Sequence, residues 1–282
     1  MVPKRSTYII AAVSLVLLVA AVYFLFIFHK GPAKPKSQET SDEVKQFSEI
    51  DLAKRPYITL TPTSDGAEII ISIENMSSFD KIEYELTYLA DNPTVAGEKI
   101  QRGATGTDVN TKDQKYKKSI LLGTASRGVR SPDKGITEGK LTMHFFIGTS
   151  EYLSESDWNL LQVGTKSTSL EDLKGNFKLE VGGFDKQYWV IVADTLGLPL
   201  SAEFDSKIAL TPIYGVFSVA PEFSQSANLT IKLAESPNQP QLYSYLHADS
   251  KWQKLDSTYD AQAKTVSSKI DSFATFVVIS SK

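Results

Sequence analysis

The sequence contains no cysteine. That excludes disulfides, thiolate nucleophiles and Cys-ligated zinc or iron–sulfur centres. It does not exclude an extracytoplasmic location, because a chain of 282 residues can build a core without covalent staples. Histidine is nearly as scarce, with only His29, His144 and His247 present. No G-x-S-x-G elbow and no G-K-[ST] step occurs anywhere in the chain, so the sequence signatures of α/β-hydrolase and P-loop chemistry are missing. Basic charge is also short outside one region. The first 36 residues hold Lys4, Arg5, Lys30, Lys34 and Lys36 and no acid, so of 30 basic and 33 acidic residues the remaining 246 carry 25 against 33, a charge of about −8. A globular part with that balance lacks the clustered cations that phosphate backbones require, and no nucleic-acid partner is expected. Hydrophobic residues at 41% and aromatics at 10% exclude wholesale disorder.

Only one long apolar run is present. Residues 8–28, YIIAAVSLVLLVAAVYFLFIF, form 21 consecutive uncharged positions. As a helix this run spans roughly 30 Å, the thickness of a hydrocarbon core. The run is too long for a signal-peptide apolar region, and it exits through Tyr23 to Phe28 and His29-Lys30 without an A-x-A step. The expectation is an uncleaved signal-anchor, with the bilayer as partner. Basic residues flank both ends, Lys4 and Arg5 against Lys30, Lys34 and Lys36, so the positive-inside count is a near tie. A seven-residue tail followed by a long remainder favours residues 1–7 in the cytoplasm and the rest exported.

The segment 29–56 reads as a linker. Pro32 and Pro35 favour an extended spacer. Thr40 with Glu43, followed by Val44, Phe47 and Ile50, predicts a short amphipathic helix over 41–53. From Tyr57 the period changes to two. Ile69, Ile71 and Ile73 alternate with Ile70, Ser72 and Glu74, and Ile82, Tyr84, Leu86 and Tyr88 alternate with Glu83, Glu85, Thr87 and Leu89. Further strands are predicted at 57–61, 98–104, 117–123, 140–147, 176–181 and 187–193. A helical turn is expected at 152–162, with Trp158, Leu160 and Leu161 inward. After Leu198-Pro199-Leu200 a second set follows at 207–210, 214–219, 228–233, 241–247, 251–255, 264–270 and 274–280. The fold class is therefore all-β: an N-terminal transmembrane helix and two antiparallel, Ig-like β-sandwich domains, 57–200 and 201–282.

Residues 205–282 have an ordered set of signals. Phe217-Ser218-Val219-Ala220-Pro221 leads to the strand Asn228 to Leu233, then Leu242-Tyr243-Ser244-Tyr245, Trp252 with Leu255, Thr265-Val266, and Ser272-Phe273-Ala274-Thr275-Phe276-Val277-Val278. This order resembles the β-sandwich modules of bacterial surface proteins related to the autoproteolytic GAIN domain and the ankyrin–netrin-receptor module. Autoproteolytic relatives end in a His-Phe-Ser or His-Leu-Thr step, where the hydroxyl attacks its own preceding carbonyl. The matching positions here are Ser272, Phe273 and Ala274, so the resemblance implies a sandwich that has lost both base and nucleophile.

Other candidate chemistry is weaker. His144 stands on the opposite parity from Leu141, Met143 and Phe145, and His247 precedes a turn, so neither reads as a triad base. Glu83 and Glu85 share a strand face, but they alternate with Tyr84 and Leu86 as a solvated face does. Asp108 to Asp113 begins like a calcium loop, yet Lys112 occupies a ligand position and the glycine and closing glutamate are absent. Gly103 to Gly106 and Gly123 to Gly128 read as hairpin turns. Trp158, Trp189 and Trp252 are expected in the core. Asn75-Met76-Ser77 and Asn228-Leu229-Thr230 have the form of glycosylation sequons. No catalytic, cofactor-binding or metal residue and no cofactor is assigned. The function expected is non-catalytic binding or scaffolding at the cell envelope, with a surface or envelope protein of unknown identity as partner. The alternatives are a subunit of a secretion or envelope assembly and a hydrolase of wall polymers.

Overall fold

The structure is a computed structural model that describes residues 44–199, 204, 208–210 and 212–280. The expected cytoplasmic tail 1–7, the apolar run 8–28 and the start of the linker lie outside the described residues. Among the described residues no helix is long and apolar enough to cross a membrane.

The described chain is all-β, in several sheets. The largest sheet holds ten strands. Across it lie β17 (Lys251–Lys254), β16 (Gln241–Leu246), β20 (Thr275–Ile279), β14 (Ile213–Ser218), β13 (Tyr188–Thr195), β10 (Ser150–Val163), β9 (Thr137–Ile147), β4 (Lys81–Asp91) and β5 (Lys99–Val109), with β1 (Val44–Gln46) beside β10. Only β1 is parallel to its neighbour; it pairs with Glu151 to Leu153, short of the segment of β10 that β13 covers. A three-stranded sheet, β2 (Tyr57–Pro62), β3 (Glu68–Glu74) and β6 (Lys115–Leu121), and a five-stranded sheet, β11 (Thr168–Glu171), β12 (Phe177–Val181), β15 (Ala227–Lys232), β19 (Thr265–Ile270) and β18 (Ser257–Asp260), complete the layers. A small hairpin, β7 (Gly123–Ser126) and β8 (Val129–Pro132), turns through Arg127 and Gly128, both at positive φ.

The two small sheets pack on opposite faces of the large one. Along β13, Ile191 and Ala193 enter a core with Ile58, Leu60, Ile69, Ile71 and Ile73 of the three-stranded sheet. Val190 and Val192 enter a second core with Phe177, Leu179, Leu229 and Ile231 of the five-stranded sheet. A strand buried on both faces has no polar side, which is why 188–193 reads as a continuous apolar run. A third cluster of Leu52, Leu198, Ile213, Tyr245, Trp252 and Val277 is also buried. The described residues between 44 and 280 form one compact unit. Residue 200, the expected boundary between 57–200 and 201–282, falls between β13 and β14, which pair from Val190↔Ser218 to Thr195↔Ile213. The five-stranded sheet likewise takes β11 and β12 from before residue 200 and β15, β18 and β19 from after it.

Three local expectations are corrected. The described part of 41–53 is not an amphipathic α-helix: Val44–Gln46 is a strand, and Phe47–Glu49 and Leu52–Lys54 are short 3-10 turns. Phe47 and Ile50 recur at helical spacing because both reach the first core, Phe47 stacking on Phe145 at 4.5 Å. The segment 152–162 lies within a strand. Trp158 and Leu160 face the first core while Leu161 packs against the second, so adjacent apolar residues imitate a helical face. Gly103 and Gly106 lie inside β5 rather than in a turn. A Cβ at Gly103 would meet the Leu86 carbonyl oxygen at 2.6 Å, and one at Gly106 would meet the Tyr84 ring at 2.1 Å, so glycine permits the close approach.

Candidate functional site

The outer face of the three-stranded sheet carries a grid set by strand register. Tyr57 pairs with Glu74 and Glu74 with Lys115; Thr59 pairs with Ser72 and Ser72 with Lys117. These positions alternate with Ile58, Leu60, Ile71 and Ile73, which are buried in the first core. The grid is not flat surface. The end of β14 with Val219 to Glu222, the turn His247 to Ser250 after β16, and Ser272-Phe273 before β20 rise beside it and enclose a cleft of about 650 Å³. Thr59, Thr61, Ser72 and Lys117 line it, together with Tyr57, Phe217, Tyr245 and His247.

One wall of this cleft is a packed polar triangle. Tyr57 and Thr275 are 3% and 0% exposed, and their hydroxyls lie 2.7 Å apart. His247 Nδ1 lies 3.4 Å from the Tyr57 hydroxyl, and Nε2 lies 3.4 Å from the Thr275 hydroxyl. The His247 ring also contacts Phe217 and Tyr245, with centroids 5.3 and 5.6 Å away. Water reaches the ring from the cleft mouth, but the surrounding rings remove much of its hydration. Desolvation lowers the imidazole to about 4; Glu74 opposes the shift and Lys115 adds to it. Burial pushes the Tyr57 phenol well above its ordinary range. The site therefore holds a neutral imidazole and a neutral phenol at pH 7. Among the described residues no carboxylate hydrogen-bonds to His247, and the Thr275 hydroxyl lies in the interior rather than in the cleft. The geometry suits binding and positioning more than nucleophilic attack.

The floor has charge and an unpartnered hydroxyl. Lys115 Nζ sits 2.6 Å from Glu74 Oε1. Ser72 is 6% exposed, and among the described residues its Oγ has no hydrogen-bond partner.

The other sequence candidates are dispersed. His144 Nδ1 lies 2.6 Å from Glu151 Oε1 on a partly solvated face. Glu83 pairs with Lys81 at 2.7 Å, and Glu85 is exposed. Asp108 accepts hydrogen bonds from Tyr116 and Lys118 at 2.9 and 2.7 Å, and among the described residues no cluster of three His, Asp or Glu forms. Trp158 and Trp252 are buried at 1% and 6%, while Trp189 is partly buried and covers Gly66. Asn75 donates to the Ala53 and Arg55 carbonyls at 3.2 and 3.0 Å, whereas Asn228 is exposed. The cleft itself was not legible in the sequence. Its members come from 57–74, 115–117, 216–222, 245–250 and 272–273, and only the polar alternation of Thr59, Thr61, Ser72 and Glu74 hinted at an exposed face. No protein-family model matches the chain, and no curated protein matches it.

Proposed function

We propose that the protein is a single-pass membrane-anchored, extracytoplasmic binding protein of the cell envelope, and that the cleft above the three-stranded sheet is its binding site. The observation that carries the anchor is the uncharged 21-residue run 8–28 ahead of a proline-bearing linker and an acidic remainder. The helix at 8–28, the exported orientation and the Ig-like, GAIN-related character of the sandwiches belong to this proposal. Support for binding rather than catalysis comes from the cleft, which presents hydroxyls, a paired Glu74–Lys115 and a neutral imidazole.

Protease added to intact cells tests this reading. Residues 57–282 should be removed and a short N-terminal stub retained. Protection of that region until the membrane is broken would overturn the orientation and the envelope role together. Crosslinking and pulldown after detergent solubilisation would then distinguish a free-standing binder from a subunit of a larger envelope assembly.

A further inference from the structure

We infer that the cleft takes a neutral, hydroxyl-rich saccharide chain, an inference that rests on its being a binding site. The first argument is the chemistry of the floor. Thr59, Thr61 and Ser72 offer hydroxyls that both donate and accept, Glu74 accepts, and Lys115 and Lys117 donate. A sugar hydroxyl also donates and accepts, so a saccharide can satisfy all three kinds of group from one row. Because the floor is a pleated sheet, rows of like direction recur about every 7 Å along the strands, which gives repeated contacts to a repeating ligand.

Charge argues for neutrality. Glu74 is already paired with Lys115. The other charged side chains of the lining, Lys117, Glu222 and Asp249, are of mixed sign and do not build the single-sign field that a polyanion or polycation would need. Ser72 supplies an independent observation. Its side chain is more than nine-tenths buried on the cleft floor and its hydroxyl has no partner among the described residues, and a buried hydroxyl is costly until it is hydrogen-bonded. At the mouth, the solvent-reached face of the neutral His247 ring provides a flat surface beside these groups.

An extended peptide fits less well. Peptides that add to sheets need an unpaired strand edge. The strand bordering the cleft, β2, pairs with β3 on one side and lies against β13 and β14. Among the described residues β2 and β6 remain the outer strands of this sheet, each paired only with β3, but the cleft opens over the side-chain face of the sheet, so recognition there falls to side-chain hydroxyls.

The test uses the full-length chain in mild detergent with tetramers of β-linked glucose, mannose, galactose and N-acetylglucosamine, read by saturation-transfer NMR and calorimetry. At least one tetramer should bind at millimolar concentration or below. Ser72→Ala removes one hydroxyl without adding bulk and should weaken binding about tenfold. Thr59→Arg, which fills the floor, should abolish it, while Glu85→Gln on a remote face should leave it unchanged. Unfolding midpoints of all three variants must stay near that of the parent. Absence of binding by every tetramer, or binding indifferent to both Ser72→Ala and Thr59→Arg, would overturn the proposal. A threonine–valine decapeptide that binds and is lost with Thr59→Arg would overturn the saccharide class and leave the cleft as a binding site. The external-protease result is independent of the sugars, so failure of the envelope reading is seen separately.

Discussion

The hydroxyls of Tyr57 and Thr275, 218 positions apart in the chain, share a 2.7 Å hydrogen bond in the interior. This contact ties the first strand of the three-stranded sheet to β20 of the ten-stranded sheet. It locks the wall of the cleft on which His247 rests. Both groups are buried, so removing one hydroxyl leaves the other under-satisfied.

A double-mutant cycle measures the contact. Tyr57→Phe and Thr275→Val should each destabilise the fold by about 1–2 kcal/mol in urea unfolding, and the double variant should cost less than the sum by about 1 kcal/mol. Strict additivity would mean that the two hydroxyls do not depend on one another.

His247 makes stability pH-dependent. Its folded-state value of about 4 lies below the ordinary 6.5, so between those values the unfolded chain binds the proton more readily than the folded one. The stabilising contribution is complete above pH 6.5 and is lost as pH falls through 6.5 toward 4. His247→Asn should flatten the stability profile in that window relative to the parent. An NMR titration should show the His247 ring still neutral at pH 6; a midpoint at or above 6.5 would contradict the desolvated setting.

Gly139 is a packing requirement. A Cβ there would lie 2.2 Å from the Trp158 ring, which is 1% exposed. Gly139→Ala should cost about 1–3 kcal/mol through overpacking, and adding Trp158→Phe should recover part of that loss. Equal losses with and without the smaller ring would locate the strain elsewhere.

Self-cleavage is not expected. Ala274 has no nucleophilic atom, and its carbonyl is held by the Val216 amide at 2.9 Å. Thr275, which no histidine adjoins in sequence, does lie near His247 in space. Its hydroxyl is nevertheless engaged by Tyr57 in the interior, so mass spectrometry under denaturing conditions should find one full-length species. A fragment beginning at Ala274 or Thr275 would turn this wall of the cleft into a processing site.

Local periodicity made most strands readable. The alternation of Ile69, Ile71 and Ile73 with Ser72 and Glu74 needs only the period-two geometry of a strand with one wet face. The same rule fails where both faces are covered, as at Trp158, Leu160 and Leu161. It is also silent on short pieces such as β11 and β18, whose four residues each carry too little pattern. Composition and order of residues thus determined the all-β class, the absence of thiol chemistry and the one uncharged run long enough for a bilayer. Tertiary structure alone decided that strands from both sides of residue 200 share one sheet, because pairing across β13 and β14 depends on which edges meet and not on any local signal. It also decided the cleft. Tyr57, Ser72, His247 and Thr275 each look ordinary in their own segments, and their chemistry arises from distances that only the packed sheets impose.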